Sequence, residues 1–212
     1  MIPLRDTIPH EHPPLVNYAI ILANVAVFFY EVSLGRHAEV FIWHYGLVPL
    51  HFSFTTLLTS MFLHGGWAHL LGNMLFLHIF GDNVEDRLGH LRYLCFYLLC
   101  GGIAGCAQAV VAAHSTTPMI GASGAIAGVS GAYFLFFPRA RVLTLIPVFL
   151  FLQVVEVPAV LFLLLWFAWQ LLSGVATLGA AGANGGVAFW AHIGGFVGGM
   201  VLGPTLRRRA RA

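Results

Sequence analysis

The chain has 212 residues, of which 59% are hydrophobic and only 8% are charged, and its formal net charge is +2. A soluble domain carries roughly 25% charged residues, so this composition excludes a water-soluble globular protein. The apolar runs are too long and too closely spaced for a porin-type β-barrel, which leaves an all-α integral membrane protein.

Six apolar runs predict six transmembrane helices between residues 15 and 206. In chain order they cover residues 16–34, 67–83, 91–113, 121–137, 148–172 and 187–206. The fifth run contains Glu156, Val157 and Pro158, which indicate an interfacial start for that helix. The loop between the first two helices mixes charged and aromatic residues, among them Arg36 and Trp43, and is expected to lie sideways in the membrane interface.

The charged flanks predict the orientation of the bundle. Residues 1–14 lack the apolar core of a secretory signal, so we expect them to form a cytoplasmic N-terminal segment. Nine of the ten basic residues, all arginine, fall on one side of the predicted helices, and only Arg36 falls on the other. The positive-inside rule then places both termini in the cytoplasm. Residues 207–212 form a basic tail that we expect to contact anionic lipid rather than nucleic acid.

Four polar residues share one predicted depth in the membrane. In this orientation the second, fourth and sixth helices all start at the outer face, and His69, Asn73, Ser123 and His192 lie early in them. At 1.5 Å per residue, all four lie within roughly 10 Å of the outer boundary. Polar groups at membrane depth are costly and are usually functional. The shared depth therefore predicts a catalytic or binding site.

Ser123 and His192 predict nucleophilic catalysis. A free hydroxyl reacts weakly, and a neutral histidine is the usual base that activates it. No carboxylate is placed to complete a triad, because Glu31 and Glu156 fall at the wrong depth or on the wrong side. A Ser–His dyad is the simplest interpretation.

The surroundings of Ser123 suit a developing oxyanion. Gly121 and Gly124 allow the backbone to approach closely, and the start of a helix presents free N–H groups. His69 and Asn73 are spaced i and i+4, so both project from one face of the second helix as hydrogen-bond donors.

Each of these features has another interpretation. The glycines near Ser123, and those that follow His192, are also typical of tight helix packing in membranes. His64, His69 and His78 suggest a metal or haem site, although His69 and His78 face apart on a helix. A small transporter would spread its polar groups through the whole depth of the membrane. A membrane metalloprotease would need an H-E-x-x-H motif, which the sequence lacks.

In combination, these motifs resemble those of the rhomboid intramembrane serine proteases. The matching segments are GASG at 121–124, AHIGG at 191–195 with Gly199, H-x-x-x-N at His69 and Asn73, His64, and V-E-x-R-L-G at 84–89. The resemblance covers residues 15–206, all six predicted helices. It implies a six-helix bundle with a water-filled cavity open to the outer face and the first loop in the outer leaflet.

The resemblance also implies an activity. Ser123 would be the nucleophile of an endopeptidase, His192 its general base and acid, and His69, Asn73 and the Ser123 backbone N–H the oxyanion donors. The supporting residues would be Gly121, Gly124, Gly195, Gly199 and His64. The implied partners are transmembrane protein substrates and lipids, with no metal, organic cofactor or nucleic acid. The implied location is a bacterial inner membrane, and the oligomeric state stays open. A non-proteolytic rhomboid-like protein that binds membrane clients is the alternative.

Two features depart from the pattern of some family members, and one of them is the Trp–Arg pair of the first loop, which is absent here because Arg36 and Trp43 are separated. Some members carry a tyrosine four residues after the serine, whose ring packs on the catalytic histidine, and Ala127 occupies that position here. Support for His192 must then come from elsewhere, such as Tyr133 or an aromatic residue of the fifth helix. The chain shows no further domain or seventh apolar run, which matches the minimal form of the family.

Overall fold

The computed structural model describes residues 1–148, 151–178 and 187–208. These residues form eight α-helices, three strands and short 3-10 turns in the loops. In chain order the elements are β1 (Ile2–Asp6), α1 (Leu15–Ser33), α2 (Ala38–Tyr45), α3 (Phe54–Thr59), α4 (Trp67–Leu88), α5 (His90–Val111), α6 (Ser123–Phe136), β2 (Arg141–Val148), β3 (Phe151–Pro158), α7 (Ala159–Leu178) and α8 (Phe189–Leu206).

Five of the six predicted helices begin within two residues of the expected position, namely α1, α4, α5, α6 and α8. Among the described residues, α1, α5 and α7 are long and apolar enough to cross a membrane. Helix α6 is apolar but has only 14 residues, and the last two turns of α4 carry four charged residues. The number of crossings therefore stays a prediction.

The fifth predicted helix is wrong in its first part. Residues Arg141–Val148 and Phe151–Pro158 form an antiparallel hairpin, and the helix begins only at Ala159. Strand β1 pairs with β2 at the other side, which gives a sheet in the order β1-β2-β3. The all-α prediction is therefore incomplete. The run is mostly apolar on both sides of Glu156, so hydropathy alone did not distinguish its β-branched hairpin residues from a helix.

Helices α6 and α8 form the centre of the bundle because glycines let their backbones touch. A methyl group built at Gly195 would lie 2.0 Å from the carbonyl oxygen of Gly124, and one at Gly199 would lie 1.9 Å from that of Gly128. Small residues allow such close approach between membrane helices. Ten consecutive residues of α6 are buried as a result, from Gly124 to Tyr133.

Most of the arginines among the described residues lie at one end of the bundle, here called the arginine end. The Arg208 backbone N–H donates to the carbonyl of Arg87 at 3.0 Å, and the Arg207 guanidinium lies 5.7 Å from the centre of the Phe136 ring. Phe136 is the last residue of α6, a helix about 20 Å long that begins at Ser123. Ser123 therefore lies at the end of the bundle opposite the arginines.

Candidate active site

The first residue of α6 and the fourth residue of α8 are hydrogen-bonded to each other. Ser123 Oγ lies 2.7 Å from His192 Nε2, and His192 is buried while Ser123 is partly exposed. The backbone contact between Gly124 and Gly195 adjoins this pair, so the glycines bring the two helix starts within side-chain reach. A serine hydroxyl that donates to an imidazole nitrogen is the arrangement that activates a nucleophile.

The other nitrogen of His192 bonds to a residue whose role the sequence did not predict. His192 Nδ1 lies 2.8 Å from Oε1 of Gln170, a buried residue of α7. One turn earlier on α7, the Trp166 ring lies 5.8 Å from the imidazole, centre to centre, at a tilt of 36°. An amide oxygen thus occupies the place that a carboxylate occupies in a Ser-His-Asp triad.

The support expected for His192 comes from one of the two predicted sources. Trp166 is an aromatic residue of the fifth predicted helix and packs on the imidazole. Tyr133 does not contact it: its hydroxyl donates to the Asp6 carboxylate of β1, at the arginine end. The prediction for Tyr133 was wrong because the residue lies three turns along α6, far from Ser123.

Glu31 and Glu156, the two carboxylates that the sequence excluded from a catalytic triad, lie in different parts of the structure. Glu156 pairs with Arg141 in the hairpin, at the arginine end, with 3.5 Å between Oε2 and Nε. Glu31 lies closer to the site than its position on α1 suggested. It is buried, and both of its oxygens accept from the His64 backbone N–H at 3.3 Å. Its partner is this backbone rather than His192.

His69 and Asn73 lie beside the backbone that leads into Ser123. A methyl group built at Gly121 would lie 2.7 Å from His69 Nε2 and 3.7 Å from Asn73 Nδ2. Gly121 has a φ of 122°, a conformation that L side chains rarely adopt, so glycine is needed there for two reasons. The peptide before α6 therefore passes directly under two polar side chains of α4.

Both side chains are held so that an N–H group remains available. His69 Nδ1 accepts from the Gly65 backbone N–H at 3.3 Å, which leaves the ring proton on Nε2. Asn73 Nδ2 donates one hydrogen to His64 Nε2 at 3.0 Å and keeps a second. With the free N–H groups at the start of α6, these donors suit a developing negative charge near Ser123.

The histidines considered as a metal or haem site are not brought together as a set. The His64 and His69 rings lie 5.1 Å apart, centre to centre. His78 stacks instead on Tyr18 of α1, with 6.4 Å between ring centres. The described residues therefore place two of these three histidines at the candidate active site and the third elsewhere.

A cavity of about 20 Å³ adjoins Ser123. Its lining includes Ser60, Gly121 and Ala191. A water molecule needs roughly 10–15 Å³ of such space, so the cavity has room for a water molecule but not for a peptide.

The chain matches a protein-family model and several known proteins. Residues 51–209 match the model of the Rhomboid domain. The chain is 33% identical over 129 residues to the rhomboid protein YdcA of Bacillus subtilis, which covers 57% of this chain and 61% of that protein. It is 30% identical over 203 residues to the mitochondrial Rhomboid protein 1 of Saccharomyces cerevisiae, which covers 91% of this chain and 53% of that protein.

A shorter match is more similar. Over 76 residues the chain is 46% identical to the rhomboid protease GluP of Bacillus subtilis, which covers 36% of this chain and 14% of that protein. The chain spans less than two thirds of the length of each of these relatives. The family match extends over most of the chain, and it contains Ser123, His192, His69 and Asn73. The protein belongs to the Rhomboid family and is an integral membrane protein.

Proposed function

We propose that this protein is an intramembrane serine endopeptidase that cleaves transmembrane segments of other proteins near the outer face of the membrane. The observation that carries the proposal is the 2.7 Å contact between Ser123 Oγ and His192 Nε2, beside the donors His69 and Asn73. The name of GluP as a rhomboid protease supports the same reaction class.

The proposed chemistry follows from the placement of these groups. Ser123 Oγ attacks the scissile carbonyl carbon while His192 Nε2 takes the hydroxyl proton. The carbonyl oxygen becomes an oxyanion, which accepts from His69, Asn73 and the Ser123 backbone N–H. His192 then gives its proton to the leaving amine, and the peptide bond breaks to leave an acyl-enzyme. Water, deprotonated by His192, hydrolyses that ester and restores the serine.

The proposed membrane arrangement uses all six long helices. Residues 15–206 form a six-span domain, with α2 and α3 lying in the outer interface. Residues 1–14 and the basic tail 207–212 lie in the cytoplasm. The gathering of arginines at one end of the bundle supports this orientation by the positive-inside rule. The proposed location is a bacterial inner membrane, and the partners are transmembrane substrates and the surrounding lipid.

The test compares Ser123→Ala and His192→Ala with Ser130→Ala in liposomes that contain a transmembrane substrate. Ser130 is a second serine on α6 and is buried two turns further on, so it controls for the loss of a hydroxyl in the same helix. We expect both site variants to lose cleavage and the control to keep it. A fluorophosphonate should label Ser123 in the wild type and in Ser130→Ala.

Two outcomes would contradict this proposal. Labelling that persists in Ser123→Ala would show that another residue is the nucleophile. Cleavage that is equal in the wild type and both site variants would likewise exclude the Ser123–His192 dyad, and its absence from all of them while the substrate still co-purifies would favour the alternative, a client-binding rhomboid-like protein.

A further inference from the structure

Gln170 is the polar residue in the first four turns of α7. The other side chains in these turns are apolar or aromatic. The Gln170 side chain is 6% exposed, and its partner is His192 Nδ1 at 2.8 Å. Burial of an amide without a hydrogen bond is costly, and more so where no water is available. The position of Gln170 is therefore tied to this contact with His192.

The contact distinguishes between the two neutral forms of the imidazole. Gln170 Oε1 is an acceptor, so it favours the form that carries its proton on Nδ1. In that form the lone pair of Nε2 faces Ser123 Oγ and can take the hydroxyl proton. The other form would direct the Nδ1 lone pair at the amide oxygen and an N–H group at Ser123. It could not act as the base.

The amide also bonds to the charged form of the ring without adding a charge of its own. When His192 holds both protons during the reaction, Nδ1–H still donates to Oε1. The titratable group that faces His192 from another helix is His69 of α4. The hydroxyl of Ser123 on α6 and the indole of Trp166 on α7 are its other close neighbours.

We propose that Gln170 is a positioning residue that holds His192 in the Nδ1–H form and so directs its basic nitrogen at Ser123. The proposal rests on the proposed protease function for its effect on rate, while the effect on the imidazole stands independently. Under this proposal, α7 contributes a residue that orients the catalytic base.

The variants Gln170→Leu and Gln170→Glu separate positioning from packing. Leucine keeps a similar volume but cannot accept a hydrogen bond. Glutamate restores the acceptor and adds a charge that stabilises the doubly protonated ring. We expect Gln170→Leu to lower kcat for a transmembrane substrate on the order of 10²-fold with little change in KM, as for the loss of other orienting groups.

In Gln170→Glu we expect kcat to recover and the acidic limb of the rate–pH profile to move upward by roughly one unit. His69 is unchanged in every variant, so its titration cannot produce this difference. Leu172→Ala is the matched control, because Leu172 lies on the same helix with a 68% exposed side chain. We expect its profile to match the wild type.

A second measurement does not depend on activity. The ¹⁵N chemical shifts of His192, assigned by comparison with His192→Ala, report which ring nitrogen carries the proton. We expect Nδ1 to be protonated in the full-length wild type and a mixture of both forms in Gln170→Leu. An unchanged spectrum in Gln170→Leu, or a wild-type kcat in that variant, would overturn the proposal. Absence of cleavage by the wild type with the expected spectral change would contradict the protease function alone.

Discussion

Gly199 sets the distance between the two helices that carry Ser123 and His192. A methyl group at this position would lie 1.9 Å from the Gly128 carbonyl oxygen, which belongs to the backbone of α6 and cannot rotate away. We expect Gly199→Ala to force α6 and α8 apart, to lower the melting temperature in detergent and to remove the cleavage activity. Overpacking of a tight core typically costs about 1–3 kcal/mol.

Gly102→Ala is the matched control for this substitution. Gly102 lies in the middle of α5, and a methyl group there would meet no atom within 4 Å. Alanine favours the helix over glycine by about 1 kcal/mol, so this variant should be as stable as the wild type or more so. If Gly199→Ala matched Gly102→Ala in melting temperature, the close approach of the two helices would not be a property of the protein.

Asn73 provides a graded test of the oxyanion proposal. Removal of its amide leaves His69 and the helix N–H groups in place, so we expect Asn73→Ala to retain activity with kcat reduced on the order of 10²-fold. Gly72→Ala serves as the control, because a methyl group at the preceding position meets nothing within 4 Å. Full activity of Asn73→Ala in a single-turnover assay would exclude Asn73 from the oxyanion site.

The sequence singled out four residues that the structure brings close together, Ser123, His192, His69 and Asn73, but it did not single out the support of His192 by Gln170. His69 and Asn73 followed from i and i+4 spacing, and their depth followed from where the helices start. Gln170 did not follow, because its contact with His192 depends on how α7 is rotated against α8. No spacing within one helix encodes that rotation.

Among the secondary-structure elements, β1 was the hardest to predict. Its five residues have no apolar periodicity, and they are a strand only because β2, more than a hundred residues later, pairs with them. Asp6 at its end accepts from the Tyr133 hydroxyl and from Asn83 Nδ2, which connects β1 to α6 and α4. The N-terminal segment is thereby fixed across the arginine end.

The contribution of this attachment of β1 to the stability of the protein should depend on pH, because it involves the carboxyl of Asp6. Burial raises the pKa of its carboxyl from 3.8 to about 6, and the nearby Asp82 acts in the same direction. The folded protein therefore holds this proton more tightly than the unfolded chain does. The free energy of unfolding should rise as the pH falls through about 6, and this gain should be complete below the unfolded value near 3.8.

Asp6→Asn removes the charge and keeps an oxygen that accepts from Tyr133. We expect its melting temperature in detergent to exceed that of the wild type at about pH 8 and the difference to shrink at about pH 4. Carboxyls that do not interact with Asp6 titrate equally in both proteins and cancel from the comparison. A difference that is constant across this range would mean that Asp6 titrates as it does in the unfolded chain.

For the molecule as a whole, the separation of the arginine end from the site predicts the topology. His37 follows α1, is exposed and lies in the loop that carries Arg36, whereas Arg139 is exposed between α6 and β2. In a background without Cys95, Cys100 and Cys106, we expect His37→Cys to react with a membrane-impermeant maleimide added from outside. Arg139→Cys should react only after the membrane is opened. The reverse pattern would invert the proposed orientation.

The order of the long helices and the starts of α1, α4, α5, α6 and α8 could be predicted, because loop or glycine signals precede these five helices. The sheet could not be predicted. Glu156, Val157 and Pro158 indicated an interruption before α7, but they did not show that the residues before it form a hairpin. Hydropathy measures how apolar a segment is. It does not measure whether its partner is lipid, a helix or another strand.

The position of Gln170 on α7 has a consequence for how substrates are selected. Trp166 packs on the imidazole of His192, and Gln170 is hydrogen-bonded to it. A movement of α7 that admits a polypeptide would also withdraw the amide from the imidazole. The enzyme would then be unreactive while open, and a helix that leaves before α7 returns would escape uncut. Discrimination would depend on how long a substrate stays as well as on how tightly it binds.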